Sequence, residues 1–105
     1  MHQYQKVMIQ IREQILDNIF ICIEEINNTL PQDQRLEASE DAYLVSENGV
    51  FDSLSIINFF VSLEELFKNQ NIDIQLLDEN FIVDPEGPYN RVSSLADFIL
   101  DIIDK

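Results

Sequence analysis

The residue of this sequence best placed for covalent chemistry is Ser53, which directly follows Asp52 at the start of a predicted helix. The first N–H groups of a helix have no partner within it, and the helix dipole is positive at that end. An anion such as a phosphodiester attached to the Ser53 hydroxyl would be stabilised there. An aspartate–serine pair is also a common N-terminal cap, so a chemical role and a purely structural role both stay open.

A serine hydroxyl acts as an enzymatic nucleophile only when a base activates it. The only histidine is His2, and the sequence has no Gly-x-Ser-x-Gly nucleophile elbow. The residues therefore favour Ser53 as the substrate of another enzyme over a small serine hydrolase, and we expect no catalytic residue in this chain. We expect no metal site either, because the sequence lacks a Cys/His cluster and residues Asn69–Ile74 lack the glycine of a calcium loop.

The helix predicted from Ser53 to Lys68 carries two lines of side chains at helical spacing. The first suits a core and comprises Ile56, Phe59, Phe60, Leu63 and Phe67. The second lies at least a third of a turn away and comprises Leu54, Ile57, Val61, Glu64 and Glu65. A surface helix needs only one apolar line, so the second either packs inside the bundle or docks a partner. If it docks a partner, charge reversal at Glu64 and Glu65 should weaken that docking without changing helicity or melting.

The chain before this helix is predicted to form one long helix from Gln3 to Leu30, or two helices broken near Asp17–Asn18. Pro31 marks the end, because the residue before a proline is pushed out of the helical region. A polar connection follows over residues 32–50, with a short turn near residues 42–44. The apolar positions of the long helix recur every three or four residues and are Val7, Ile11, Ile15, Ile19, Cys22 and Ile26.

The chain after it continues with a short apolar segment over Ile72–Leu77 and an irregular loop over residues 79–90. Ser93 or Ser94 can cap a last helix that ends near residue 104. The apolar residues of that helix fall on one face and are Leu95, Phe98, Ile99 and Ile102. Residues 1–105 are thus predicted to form a single all-α domain, with a long loop between the first two helices.

Composition and charge limit the classes of partner. The chain has 105 residues, of which 46% are hydrophobic, so it can bury one core. Its formal net charge of −14 opposes binding to nucleic acids and stable insertion into membranes, and favours basic patches on partner proteins. The lone Cys22 lies in an apolar run and is expected to be a buried filler. No apolar stretch reaches the length of a signal peptide or membrane span, so we expect a cytoplasmic protein. We also expect it to be a monomer.

The run Asn48–Leu54, followed by Leu63–Phe67, resembles the acyl carrier protein family. That family has a glycine, one or two apolar residues, Asp-Ser-Leu, and then a Leu-Glu-Glu-x-Phe segment about a dozen residues later. The resemblance implies that Ser53, flanked by Asp52 and Leu54, carries a covalent 4′-phosphopantetheine cofactor. By the same matching, the partner-binding positions are Leu54, Ile57, Val61, Glu64 and Glu65.

The resemblance also implies a fold and a function. The expected fold is a bundle of three main helices with one short helix near residues 72–77. The expected function is to carry acyl or aminoacyl groups as thioesters, as in fatty acid or polyketide biosynthesis, between a phosphopantetheinyl transferase and the enzymes that load and transfer the cargo. Residues 78–92 resemble an insertion, and the Asn-Gly-Val-Phe-Asp-Ser form is closer to stand-alone carriers of specialised pathways and to D-alanyl carriers. The alternative is a non-enzymatic acidic helical adaptor in which Ser53 is only a cap.

Overall fold

The computed structural model describes residues 2–44, 53–77, 87 and 89–104 and consists of helices joined by irregular segments. Three α-helices form the framework: α1 is His2–Asn27, α2 is Ser53–Asn69 and α3 is Val92–Asp104. A 3-10 turn at Gln32–Gln34 is the other helical element, and the described ranges contain no β-strand. The predicted all-α class is confirmed.

α1 is a single helix, without the break considered near Asp17–Asn18. Asn18 is fully buried, and its side-chain amide forms two hydrogen bonds of 2.9 and 3.1 Å with the Gln70 amide. A buried polar group that is fully paired does not disrupt a helix. Val7, expected in the core, is 48% exposed. Met8, the next residue, lies beside Asp97, Leu100 and Asp101 of α3, so α3 extends along this end of α1 while Val7 stays outside the contact.

The buried line of α2 is the one predicted from the sequence. Its five members are each at most 3% exposed and are Ile56, Phe59, Phe60, Leu63 and Phe67. α1 packs against both α2 and α3, and contributes Ile15, Ile19, Cys22 and Ile26 to the same core. Burial of this apolar surface is the main favourable term for such a domain.

α3 begins at Val92, so Ser93 and Ser94 lie inside its first turn and neither precedes the helix as a cap residue; Ser94 instead bonds back to the residue before the helix. The Arg91 N–H donates to Ser94 Oγ over 3.2 Å, and Ser94 Oγ donates to Asn90 Oδ1 over 2.9 Å. These bonds satisfy one backbone donor that the helix itself leaves unpaired. Leu95 and Ile99 of the predicted face are fully buried, whereas Phe98 and Ile102 are half-buried at its edge.

The described part of the connection between α1 and α2, residues 28–44, is packed onto the bundle at two points. The Asn27 amide pairs with the backbone of Leu36, donating to its carbonyl over 2.7 Å and accepting from its N–H over 2.8 Å. An isolated antiparallel bridge joins Tyr43 to Arg91 at the start of α3. Leu36 and Leu44 are buried, so this polar connection supplies two residues to the core.

Residues 72–77 are not helical, so the short helix expected there is not found. Burial alternates instead: Ile74 and Leu76 are buried, while Asp73 and Gln75 are exposed. A period of two fits a non-helical segment lying along the bundle, and it places alternate side chains in the core. Most of the expected insertion, residues 78–86 and 88, lies outside the described residues.

The end of α2 is a left-handed turn at Asn71, whose φ is 65°. The Ile72 N–H bonds to the Phe67 carbonyl over 2.9 Å, and the Asn71 N–H bonds to the Lys68 carbonyl over 3.0 Å. This pair of bonds is the Schellman motif, in which glycine or asparagine is favoured at the left-handed position. The turn reverses the chain, so that residues 72–77 return along α2.

We expect Asn71→Ala to lower the free energy of unfolding by about 1 kcal/mol, because a Cβ without a compensating polar group is disfavoured at positive φ. Asn71→Gly should be at least as stable as the wild type, since glycine adopts this conformation freely. Urea denaturation measures both. Asn69→Ala, inside the exposed last turn of α2, is the matched control and should change stability by less than about 0.5 kcal/mol. Equal stability of the alanine and glycine variants at position 71 would contradict the assignment of this turn.

Candidate functional site

The candidate site begins at the N-terminus of α2. Ser53 is the first residue of this helix, as predicted. Asp52 and the preceding motif residues 48–51 lie outside the described residues. The first four N–H groups of an α-helix have no intrahelical partner, so the positive end of the α2 dipole lies at Ser53. This is a suitable position for a phosphate ester carried by the residue.

The outer face of α2, defined here as Leu54, Ile57, Val61 and Glu65, is open to solvent. Leu54 is 67% exposed, Ile57 41% and Val61 44%. Glu65 is also exposed. These residues recur at helical spacing and extend about 16 Å along the helix, starting one residue after Ser53. Leu54, Ile57 and Val61 therefore do not pack inside the described part of the bundle.

Glu64 differs from its neighbour because it also has a structural role. It is half-buried, and its Oε2 accepts a hydrogen bond of 3.1 Å from the Leu77 N–H. That bond ties residues 72–77 to α2. The expectation that charge reversal leaves melting unchanged is therefore retained for Glu65 alone, since a lysine at position 64 removes the acceptor for a backbone donor.

The acidic end of the outer face opens into a groove of about 390 Å³ between α2 and the returning segment. Its lining residues are Val61, Glu64, Glu65, Lys68, Asp73, Ile74 and Leu77. Three carboxylates and one ammonium group give the groove a net negative charge, which favours a cationic side chain from a partner. Apolar atoms of Val61 and Leu77 can pack against the aliphatic stem of such a side chain.

Sequence reasoning missed four residues of this groove, of which Lys68 and Asp73 are charged and Ile74 and Leu77 are apolar. Lys68 could have been found, because it lies three and four residues after Glu65 and Glu64 and so shares their side of the helix. Asp73 carried no such signal. It reaches the groove only because the turn at Asn71 folds the chain back along α2.

Cys22 is the only described thiol, and it takes no part in the site. It is buried in the core, and burial raises its pKa to about 12, with a smaller contribution from the nearby charge of Glu25. A thiol that stays protonated at neutral pH is a poor nucleophile. The described residues contain no group of three or more potential ligands arranged to hold a metal ion. Nor is any described helix both long and apolar enough to cross a bilayer.

Comparisons with known proteins identify no relative of this chain. No family model, no curated protein and no solved structure matches it. The function is therefore inferred from the chain's own residues and from the geometry of α2.

Proposed function

We propose that this chain is an acyl-carrier-type protein that bears 4′-phosphopantetheine on Ser53 and delivers thioester-bound acyl or aminoacyl groups to partner enzymes. The observation that carries the proposal is the solvent exposure of Leu54, Ile57 and Val61 on a helix whose opposite face is fully buried. These three side chains begin directly after the serine. A partner enzyme that binds these three side chains is placed next to the group attached to Ser53.

We propose that another enzyme attaches the phosphopantetheine, because this chain lacks a histidine base close to Ser53 in sequence. The residues near Ser53 in sequence offer no histidine that could activate its hydroxyl. A separate transferase would therefore form the new bond: the Ser53 oxygen attacks the phosphate of a phosphopantetheine donor joined to a nucleotide by a pyrophosphate link, that link breaks, the nucleotide phosphate leaves, and a base of the transferase takes the serine proton. The positive end of the α2 dipole stabilises that anion. The chain itself then binds and presents the cargo, and the enzymes it visits perform the chemistry.

The docking surface suits short-lived complexes. Three exposed aliphatic side chains provide orientation, and the net charge of −14 accelerates encounter with basic partners. A patch this small does not hold a partner permanently, because stable interfaces bury roughly 800 Å² on each side. Transient contact is what a carrier that moves between several enzymes needs. The bundle is proposed to be of the acyl-carrier type, without the short helix that was expected at residues 72–77.

Intact-mass measurement tests the proposal. The full chain is co-expressed with a broad-specificity phosphopantetheinyl transferase, alongside a control carrier that is known to be loaded in the same cells. We expect a mass gain of one phosphopantetheine group on this chain. An unmodified chain in cells that load the control carrier would overturn the proposal and leave the acidic adaptor, which would use the same outer face without a prosthetic arm.

Charge reversal at Glu65 is expected to slow loading or transfer about two- to fivefold at low salt, the range of a single exposed ion pair. Rates are measured with the transferase at low salt and again at 1 M salt, where the Debye length falls to about 3 Å and the difference should vanish. Asp33→Lys in the exposed 3-10 turn is the matched control, because it changes the net charge equally at a position away from α2. An equal loss in both variants would show that net charge, and not the outer face, sets the rate.

A further inference from the structure

The outward face of α1 carries a second groove, which the proposed function does not use. It is shallow and widely open, is formed among the described residues by α1 and the adjoining Asn28 alone, and has a volume of about 600 Å³. Its lining residues are Asp17, Phe20, Ile21, Glu24, Glu25 and Asn28. Phe20 is half-buried and packs against the core, while Ile21 is 46% exposed. The centre of the groove is therefore apolar and its rim is acidic.

The charges of this rim are not compensated within the described chain. No lysine or arginine occurs between Arg12 and Arg35 in the sequence. The ion pairs found among the described residues join Arg12 to Glu40 and to Asp97, on the side of α1 that faces α3. Asp17, Glu24 and Glu25 are exposed and have no basic partner in the described ranges. The groove thus combines exposed apolar atoms with three unneutralised carboxylates.

We infer that this α1 groove is a second docking site, and that its occupant is a basic amphipathic helix of a partner protein. The negative charge of the rim determines which class of partner can bind. A second copy of this chain, a nucleic acid or an anionic lipid surface brings negative charge to an acidic rim and is repelled. A helix with lysine or arginine on both sides of an aliphatic residue matches both features, with its aliphatic residue against Phe20 and Ile21 and its cations toward Asp17, Glu24 and Glu25.

The position of the groove allows two partners to bind together. α1 faces the core with Ile15, Ile19 and Ile26, and the groove lies on the opposite side of the same helix. The outer face of α2 likewise points away from that shared core. A partner on α1 therefore need not cover the outer face of α2. The inference does not require modification of Ser53, so it stands or falls separately from the proposed function.

The test is an NMR titration of the unmodified, ¹⁵N-labelled full chain. The probe is a synthetic amphipathic helical peptide of leucine and lysine, and its counterpart with glutamate in place of lysine is the charge control. We expect the lysine peptide to shift the backbone amides of Phe20, Ile21, Glu24 and Glu25, and the glutamate peptide to shift none of them. Ile21→Ser should weaken binding at this groove about tenfold, as expected for an apolar residue at the centre of an interface.

Two matched variants keep the result decisive. Leu54→Ser removes an exposed aliphatic residue from α2 and should leave the α1 shifts unchanged. Glu24→Gln together with Glu25→Gln serves as the second test if Ile21→Ser alters the circular dichroism spectrum, and should also weaken the α1 site. Shifts confined to α2, shifts spread evenly over all acidic residues and insensitive to Ile21→Ser, or self-association through this face of α1 would each overturn the inference.

Discussion

Replacing Ser53 with alanine is expected to abolish the mass gain produced by the phosphopantetheinyl transferase completely. The reason is chemical: the side-chain oxygen is the atom that would join the phosphate, and alanine has no atom to replace it. Intact mass under co-expression conditions measures the effect. The expected change is all or none, because no graded loss of affinity is involved.

The same substitution should leave the fold intact. A helix cap contributes about 1 kcal/mol, so even if the Ser53 hydroxyl also caps α2, its loss removes a small part of the 5–15 kcal/mol typical of a domain. Circular dichroism and urea denaturation of Ser53→Ala check this. An unchanged fold with no mass gain would assign the loss to the missing oxygen and not to unfolding.

Ser55→Ala is the matched control, since it removes a hydroxyl from the same turn of α2. We expect this variant to be modified as fully as the wild type. Modification that persists in Ser53→Ala and disappears in Ser55→Ala would move the attachment site. A mass gain that persists in both variants would show that modification is not specific to either serine.

The framework of the fold was predictable because it depends on local periodicity. The line from Ile56 to Phe67 recurs at helical spacing, and each of its members is buried in the structure. The same spacing separated Leu54, Ile57 and Val61 from that line. It could not decide whether they were buried, because burial of a second face depends on which neighbours pack there, and only the assembled bundle shows that these side chains stay exposed.

The features that were missed depend on contacts between residues distant in sequence. Val7 continues the apolar pattern of α1, yet it is exposed, whereas the adjacent Met8 lies beside residues of α3. Glu64 looked like its neighbour Glu65, but a returning segment brings the Leu77 N–H to it. The short helix expected at residues 72–77 came from the family resemblance, while the local alternation of Ile72, Ile74 and Leu76 favours the non-helical segment that is found.

Buried polar pairing was likewise invisible to the sequence pattern. Asn18 sits where a helix break was considered, and it is accommodated only because Gln70, at the other side of the core, supplies a matching amide. Asn27 pairs with the backbone of Leu36 and so fixes the direction in which the chain leaves α1. Both contacts satisfy buried polar atoms that would otherwise be costly. The sequence around an asparagine does not indicate which distant residue its side chain will hydrogen-bond.

Phe60→Ala is expected to lower the free energy of unfolding by about 3–5 kcal/mol, the largest stability effect that we predict for a single substitution in this chain. Phe60 is fully buried. Its ring lies 5.2 Å from that of Phe59, edge to face, and 4.8 Å from that of Tyr89. Its removal costs the transfer free energy of the ring and leaves a cavity that α1 and α2 cannot fill without moving. Urea denaturation measures the loss.

The effect should extend through Tyr89 to two other elements. The Tyr89 ring also lies 5.3 Å from that of Phe98 in α3, and its hydroxyl donates to the Leu76 carbonyl over 3.0 Å. A double-mutant cycle with Phe60→Leu and Tyr89→Leu should therefore give a coupling of about 0.5–1.5 kcal/mol, as for other aromatic pairs. Additive effects of the two substitutions would show that the rings do not support one another.

Leu54→Ala, on the opposite side of the same helix, is the control that joins stability to function. Because its side chain is 67% exposed, we expect it to change stability by less than about 0.5 kcal/mol and yet to slow transfer to partner enzymes. The two faces of α2 would then have separate roles. Loss of the Phe60 side chain destabilises the fold of the carrier, whereas loss of the Leu54 side chain leaves a folded carrier that partners bind weakly. Phe60→Ala costing less than about 1 kcal/mol, or Leu54→Ala costing as much as Phe60→Ala, would contradict the orientation of α2 on which the proposed docking face depends.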